Sequence, residues 1–243
     1  MKDQFMRTRI LLGDEAFERL RAARVSIVGL GAVGSFATEA LSRAGIGQLT
    51  LIDSDSIEET NINRQIFALH STIGKDKCEL AAARVRDINP DCEVIAKKAF
   101  IHGDSIDTVL ENNPNIVVDA IDSLNPKVQL LAGLAKRKVP VIASMGAALR
   151  TDPTAIRTGD VFTTVGCPLA RLIRKRLRRL GIQDGVDCVY STEAHMKDKW
   201  RPSEKVNSDG KGRIRNILGS APTIPGIFGL TIAQYVIDFL ISD

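Results

Sequence analysis

The 243-residue chain predicts an α/β fold: a doubly wound, mostly parallel, Rossmann-like sheet with helices on both faces and an elaborated C-terminal third. Three observations carry that expectation. Short apolar runs rich in β-branched residues alternate with amphipathic stretches of helix length, a spacing that joins parallel strands through crossover helices. The first run, Val25-Ser-Ile-Val, opens into Gly29-Leu-Gly31-Ala-Val-Gly34 and then into a helical pattern. An acid, Asp53, closes the next strand about 20 positions on, which completes a dinucleotide-binding βαβ fingerprint. The glycines serve different physical needs. Gly29 permits the tight turn out of the strand, Gly31 lets backbone N–H groups approach a phosphate, and Gly34 lets the helix pack closely on the sheet.

Taken in order, Phe5 to Arg24 reads as a helix or a pair of helices with Leu11, Leu12, Phe17 and Leu20 on one face. Val33 to Ala44 is helical, Gly45-Ile-Gly47 a turn, and Gln48 to Asp53 the second strand. Asp55 to Leu69 has no clear period but gathers Glu58, Glu59, Asn61, Asn63, Arg64 and Gln65. Lys75 to Asn89 is a helix with Leu80, Ala83 and Ile88 inward, ended by Pro90. Glu93 to Lys97 is a strand and Asp104 to Asn112 a helix; Ile116 to Asp122 is a buried strand ending in acid. Pro126 to Lys138 is a helix with proline in its first turn, and Val139 to Ser144 another buried strand. Further on, Ala155–Val161 and Val186–Tyr190 look like strands flanking a helix over Pro168–Leu180. Ala194 to Arg213 is polar and lysine-rich, the pattern of a mobile surface loop.

Composition bounds the rest. At 44% hydrophobic and 26% charged, the chain suits one unit over 1–243, with a nucleotide-binding core over about 20–145 and a substrate-facing extension and C-terminal helix over about 146–243. The formal charge of +4 and a pI near 8.9 are mildly basic, which hints at a polyanionic partner. Cys78, Cys92, Cys167 and Cys188 lie far apart without a C-x-x-C pair, which argues against structural zinc and against a secreted disulfide scaffold. Met1 to Leu20 is charged and amphipathic rather than signal-like. Ile217 to Ile241 is apolar but interrupted by Gly219, Pro222, Pro225, Gly226 and Gly229, so it reads as a core or interface helix from about Ile227. Cytoplasmic localisation follows, with peripheral membrane association of the C-terminus kept open.

The residues after Asp53 point away from a nicotinamide enzyme. Asp55, then Thr60-Asn61-Ile-Asn63-Arg64-Gln65, then Lys75-Asp-Lys77, then Asp119-Ala-Ile-Asp122 supply Arg, Lys and Asp suited to a triphosphate with a divalent cation. This combination resembles the ubiquitin-activating-enzyme-like (ThiF/MoeB/HesA) superfamily of ATP-dependent adenylating enzymes, densely from about Phe5 to Asp122 and more thinly beyond. The resemblance implies that ATP lies over the glycine turn (Gly29, Gly31, Gly34). It assigns Asp53 to the ribose, Asp55 and Asn61 to positions beside the nucleotide, Arg64 and Lys77 to the phosphates, and Asp122 to Mg²⁺. Arg7 matches an arginine that in relatives reaches across a dimer interface to the neighbouring ATP. Alternatives stand beside these roles: Asp53 and Asp122 suit helix N-caps, Arg64 and Lys77 ordinary surface charges, Asn61 and Asn63 turns, and Arg7 a solvated position. Lys75 is close enough to Lys77 for the two to exchange roles.

The second half resembles the tRNA threonylcarbamoyladenosine dehydratase branch of that superfamily. The likeness rests on Asp119-Ala-Ile-Asp122-Ser with Pro126-Lys127, on Cys167-Pro168-Leu169-Ala before an arginine-rich helix, on Val189-Tyr190-Ser191-Thr-Glu193, and on Gly219-Ser220 leading to Pro225-Gly226-Ile-Phe-Gly229. Relatives often carry aspartate at position 167, and Met145-Gly146-Ala147 stands where they have glycine-glycine-alanine. The resemblance implies adenylation of the threonine carboxylate on adenosine 37 of tRNA, followed by attack of a carbamoyl nitrogen that closes a five-membered ring and expels AMP. It also implies a homodimer and leaves room for a sulfur- or electron-transfer protein partner. Arg171 to Arg179 places six cations in nine residues, and Leu172, Ile173, Leu177 and Leu180 are free to face the core. Arg171, Arg174, Lys175 and Arg178 are therefore candidate tRNA contacts, extended by Lys197, Lys199, Trp200, Arg201, Lys205, Lys211 and Arg213; a solvated basic face is the alternative. Two other functions compete: adenylation of the C-terminal glycine of a ubiquitin-like sulfur carrier protein, and a non-catalytic nucleotide or NAD scaffold. No acid–base side chain is expected, because an ionised carboxylate needs positioning and charge neutralisation instead.

Overall fold

The computed structural model describes residues 4–194, 206–207, 214–215 and 218–242. Its backbone is a seven-stranded sheet in the order β3-β2-β1-β4-β5-β7-β6. The strands are β1 (Arg24–Val28), β2 (Gln48–Asp53), β3 (Glu93–Lys98), β4 (Ile116–Asp119), β5 (Val141–Ser144), β6 (Ile156–Asp160) and β7 (Asp187–Ser191). All neighbours are parallel except β6, which runs antiparallel to β7 at the edge. Chain order reverses between β1 and β4, which opens a crevice at their carboxyl ends, the place where open α/β sheets bind ligands.

Eight α-helices accompany the sheet among the described residues: α1 (Met6–Leu12), α2 (Asp14–Ala22), α3 (Ala32–Ala44), α4 (Lys77–Ile88), α5 (Ile106–Leu110), α6 (Leu124–Lys136), α7 (Pro168–Arg179) and α8 (Thr223–Ile241). Side chains alternate between the faces of each strand, so one strand feeds two cores. Ile27, Leu51, Val118 and Val189 join α2, α3, α4 and α8 in one cluster. Val28, Ile52, Val117 and Cys188 join α5, α6 and α7 in the other.

Several expectations need correction. Leu11 does not share a buried face with Phe17 and Leu20: it is 81% exposed, and α1 buries none of its residues. On α4 the buried residues are Lys77, Cys78, Ala81, Ala82 and Val85; Leu80 packs against the same core while only partly buried, and Ala83 is exposed. The strand ahead of Asp122 stops at Asp119, leaving 120–122 as an open turn. Leu172 and Leu180 are about half exposed, so only Ile173 and Leu177 of these four apolar residues are fully buried. The last helix begins at Thr223, not Ile227, and its glycines are packing sites rather than breaks: a Cβ on Gly229 would stand 2.4 Å from the Val33 carbonyl oxygen. These small residues bring α8 against α3, the most extensively packed helix pair among the described residues. Helix α8 is also the one described helix long and apolar enough to cross a membrane (19 residues, mean hydropathy 1.7).

The lysine-rich segment after Ala194, including His195 and Trp200, lies outside the described residues apart from a short antiparallel ladder of Val206–Asn207 with Ile214–Arg215. All four cysteines are buried and unpaired; burial pushes the Cys92 thiol up to about 11 and that of Cys188 higher still.

Candidate active site

At the carboxyl edge of the sheet the turn after β1 is built by backbone contact. Gly29 has φ 91°, and a Cβ there would lie 2.8 Å from the carbonyl carbon and oxygen of Ala120. A Cβ on Gly34 would meet the Gly29 carbonyl oxygen at 1.8 Å. Gly31 differs: the nearest atom to its missing Cβ is Gln65 Nε2, at 3.7 Å, so space within the protein does not demand glycine there. The first amides of α3 follow it, with no side chain capping them, which leaves a helix N-terminus suited to an anion.

Asp53 ties this turn to β2. Its Oδ2 accepts from Leu30 N at 2.7 Å and its Oδ1 from Asp55 N at 2.9 Å. Burial raises its pKa, opposed by the charge of Lys77 and by those amide bonds. A carboxylate keeps further lone pairs when each oxygen accepts one bond. Lys77 is buried at the start of α4 (6% exposed) and pairs with the outward Asp55 at 3.2 Å. Contacts thus run from the 119–122 turn through the glycine turn and Asp53 to Asp55 and Lys77.

Asn61 is buried, and its Oδ1 accepts from Glu58 N, closing its own turn. Arg64 folds back onto Thr60 O (2.8 Å) and Asn63 Oδ1 (2.9 Å), and Asn63 reaches Ser220 O ahead of α8. Asp122 is exposed and accepts from Ser123 Oγ at 3.2 Å. Arg7 is exposed on α1 and is not brought to this crevice within its own chain. Its neighbour Phe5 packs near Gly45, which ends α3, whereas the glycine turn begins α3; the helix separates them by about 20 Å. Lys75 is exposed at the rim.

On α7 the cations divide. Arg171, Lys175 and Arg178 share one exposed face, with Arg178 stacked over the Phe162 ring at 5.6 Å. Arg174 departs from the expected outward stripe: it donates inward to Val161 O (3.1 Å), Thr164 O (2.9 Å) and the Thr164 hydroxyl. Arg176 turns to Asn125 Oδ1. Cys167 caps α7, its Sγ accepting from Ala170 N at 3.5 Å, which is the role an aspartate at that position performs.

Three further residues were given no role from the sequence. Lys127 is completely buried against Asp119. Gln65 is 7% exposed, beside Gly31, and its Oε1 has no hydrogen-bond partner. Arg150 is buried and joins Gly166 O and Glu193 O, while the Glu193 carboxylate accepts from Thr151 N and Asp152 N, so the loops leaving β5 and β7 are knotted together. Gln65 carried a signal in the sequence, its place in the polar run after Asn61, and so did Lys127, in the Pro126-Lys127 pair after Asp122; Arg150 carried none.

A family model described as the ThiF family matches residues 4–243. The chain belongs to the ThiF family. It is 38% identical over 246 residues to the tRNA threonylcarbamoyladenosine dehydratase of Bacillus subtilis (strain 168), covering 100% of this chain and 96% of that protein. The Escherichia coli tRNA N6-threonylcarbamoyladenosine dehydratase, crystallised in complex with ATP, superposes with a TM-score of 0.87 at 36% identity, covering 98% of this chain and 93% of that one. The molybdopterin-synthase adenylyltransferase of Salmonella typhimurium is 37% identical over only 138 residues, 57% of this chain and 54% of that protein. Likeness to that adenylyltransferase thus covers about half of the chain, whereas likeness to the dehydratases runs through nearly all of it.

Proposed function

We propose that the chain is an ATP-dependent tRNA threonylcarbamoyladenosine dehydratase. The observation that carries this reading is full-length likeness to the dehydratases combined with a glycine turn, Asp53, Lys77 and Asp122 gathered at the β1/β4 crevice. The uncapped α3 amides and Lys77 receive the phosphates, Arg64 joins them on leaving Thr60, and the spare lone pairs of Asp53 take the ribose hydroxyls. Asn61 shapes the turn that presents Arg64, and Asp55 holds Lys77 in place.

Mg²⁺ suits the donor set. Among the described residues no cluster of three or more His, Cys, Asp or Glu forms a protein cage, but Asp122 is a hard, exposed oxygen donor. One carboxylate together with substrate phosphates is a usual way for this ion to bind. When bound, it supplies charge neutralisation on the phosphates.

The threonine carboxylate attacks the α-phosphorus, the bond to the β-phosphate oxygen breaks, and pyrophosphate leaves. The carbamoyl nitrogen then attacks the activated carbonyl, loses its proton to solvent, and AMP departs with the carboxylate oxygen. Catalysis here is positioning and charge neutralisation. Arg171, Lys175 and Arg178 take the tRNA phosphates, while Arg174 holds the loop beneath them. A homodimer supplies Arg7 in trans, using exposed Met6, Ile10 and Leu11 of α1.

Exchange of labelled pyrophosphate into ATP tests this reading. It is expected with tRNA bearing the linear modification and not with a ubiquitin-like carrier; the opposite dependence would transfer the function to carrier activation.

A further inference from the structure

Lys127 stands out because a buried lysine is costly and this one is completely enclosed (0% exposed). It is the fourth residue of α6, where the backward tilt of helical side chains carries it toward the turn that precedes the helix. There its ammonium donates to Ile121 O at 2.9 Å and to Asp119 O at 3.3 Å, and stands in ion-pair contact with Asp119 Oδ2 at 2.9 Å. Two of its three N–H donors thus go to backbone carbonyls, and the carboxylate beside it balances the charge. Asp119 Oδ1 accepts from Ile121 N at 3.0 Å, which closes the same turn from its other side.

All of these partners belong to residues 119–121, and that stretch has two functional neighbours. Ala120 N donates to Val28 O at 2.8 Å, and Ala120 forms the wall against which Gly29 turns. The next residue but one is Asp122. A shift of the 119–122 turn therefore moves the glycine turn and the Asp122 carboxylate together. An apolar side chain would join α6 to β4 equally well; it would not fix two carbonyls and a carboxylate at once.

We propose that Lys127 is a positioning residue for nucleotide binding, an ammonium pin that holds the 119–122 turn so that Asp122 and the glycine turn face Mg-ATP together. This rests on the nucleotide-binding part of the reading above and not on the identity of the tRNA substrate. Its effect is expected on Mg-ATP affinity rather than on folding alone, because loss of a residue that orients a metal-binding side chain costs roughly 10–100-fold in affinity.

The test is calorimetric titration of Mg-ATP, without tRNA, into wild type, Asp119→Asn, and the double variant Asp119→Asn with Lys127→Met. The double variant removes both buried charges and so avoids an orphaned ion. Thermal unfolding is followed alongside, with Val236→Ala as a control that loosens the core of α8 remote from the turn. Asp119→Asn keeps the ammonium on its two carbonyls and is expected to stay within about threefold of wild type, while the double variant weakens by roughly tenfold or more. Val236→Ala is expected to lower the melting temperature without moving the affinity. A folded double variant that binds Mg-ATP within about twofold of wild type overturns the proposal, as does equal weakening in Asp119→Asn and the double variant. Should the double variant not fold, an Asp119→Asn variant weakened tenfold overturns it alone, and one left near wild type supports it. Wild type that binds Mg-ATP but leaves tRNA unmodified would sink the dehydratase reading and not this one.

Discussion

The nucleotide crevice and the basic face of α7 use charge in opposite ways. In the crevice, Asp53, Lys77, Asp119 and Lys127 are wholly or largely withdrawn from water and bonded to one another or to backbone, so their geometry exists before any ligand arrives. On α7, Arg171 and Lys175 stand in solvent, whereas Arg174 and Arg176 are bonded back into the protein. The difference teaches where substitutions will act. Charges in the first region serve structure and binding together, whereas the solvated Arg171 and Lys175 of the second change binding and its salt dependence alone.

The harshest way to break the comparison is Gly34→Ala. Its Cβ would collide with the Gly29 carbonyl oxygen at 1.8 Å, so the substitution is expected to cost on the order of 3 kcal/mol or more, read as a lower urea midpoint with loss of ATP binding. A Gly34→Ala protein with wild-type midpoint would show that the turn is not rigid. Asp122 is the exception within the crevice, being exposed. Asp122→Ala is expected to lower the dehydration rate roughly 10²–10³-fold while leaving the melting temperature unchanged, a separation that steady-state rates and thermal unfolding resolve.

The contrast sharpens on α7 itself. Arg174→Ala strands the Thr164 carbonyl and removes one of the donors to Val161 O, which keeps the Thr164 hydroxyl, and should cost about 1–3 kcal/mol of stability. Arg171→Ala and Lys175→Ala, on the solvated face beside it, should leave stability alone and each reduce the slope of log affinity for tRNA against log salt by about 1. Equal behaviour of Arg174 and Arg171 would erase the distinction between the pinned and the solvated cation. The smallest effect belongs to the cysteines. With Cys92 pushed up to about 11 and all four thiols buried, native protein is expected to leave a thiol-reactive dye uncoupled until denaturant is added; rapid labelling of the native chain would contradict that.

Much of the crevice was legible from the chain because its parts are local. The glycine spacing and Gln48–Asp53 as a strand depend on neighbours a few positions away, and both stand as read. What escaped depends on residues far apart. Gly226 and Gly229 resemble helix breakers until Val33 and Phe36 of α3 are seen filling the notches they leave. Lys127 resembles an ordinary helical lysine until Asp119 and Ile121 close over it. Arg174 differs from Arg171 only because the loop at Val161–Thr164 offers it acceptors. The amphipathic pattern of α1 promised a buried face, yet Ile10 and Leu11 remain open; periodicity alone does not say whether an apolar face is covered by its own core or by something else.

Above all, the β1/β4 crevice is held to spend ATP on removing water from a modified adenosine. The most direct measurement is the mass of the nucleoside at position 37 after threonylcarbamoylated tRNA is incubated with the protein and Mg-ATP, beside Asp122→Ala. Loss of one water with wild type, and little or none with Asp122→Ala, is the predicted result. An unchanged mass with wild-type protein that demonstrably binds ATP would contradict it.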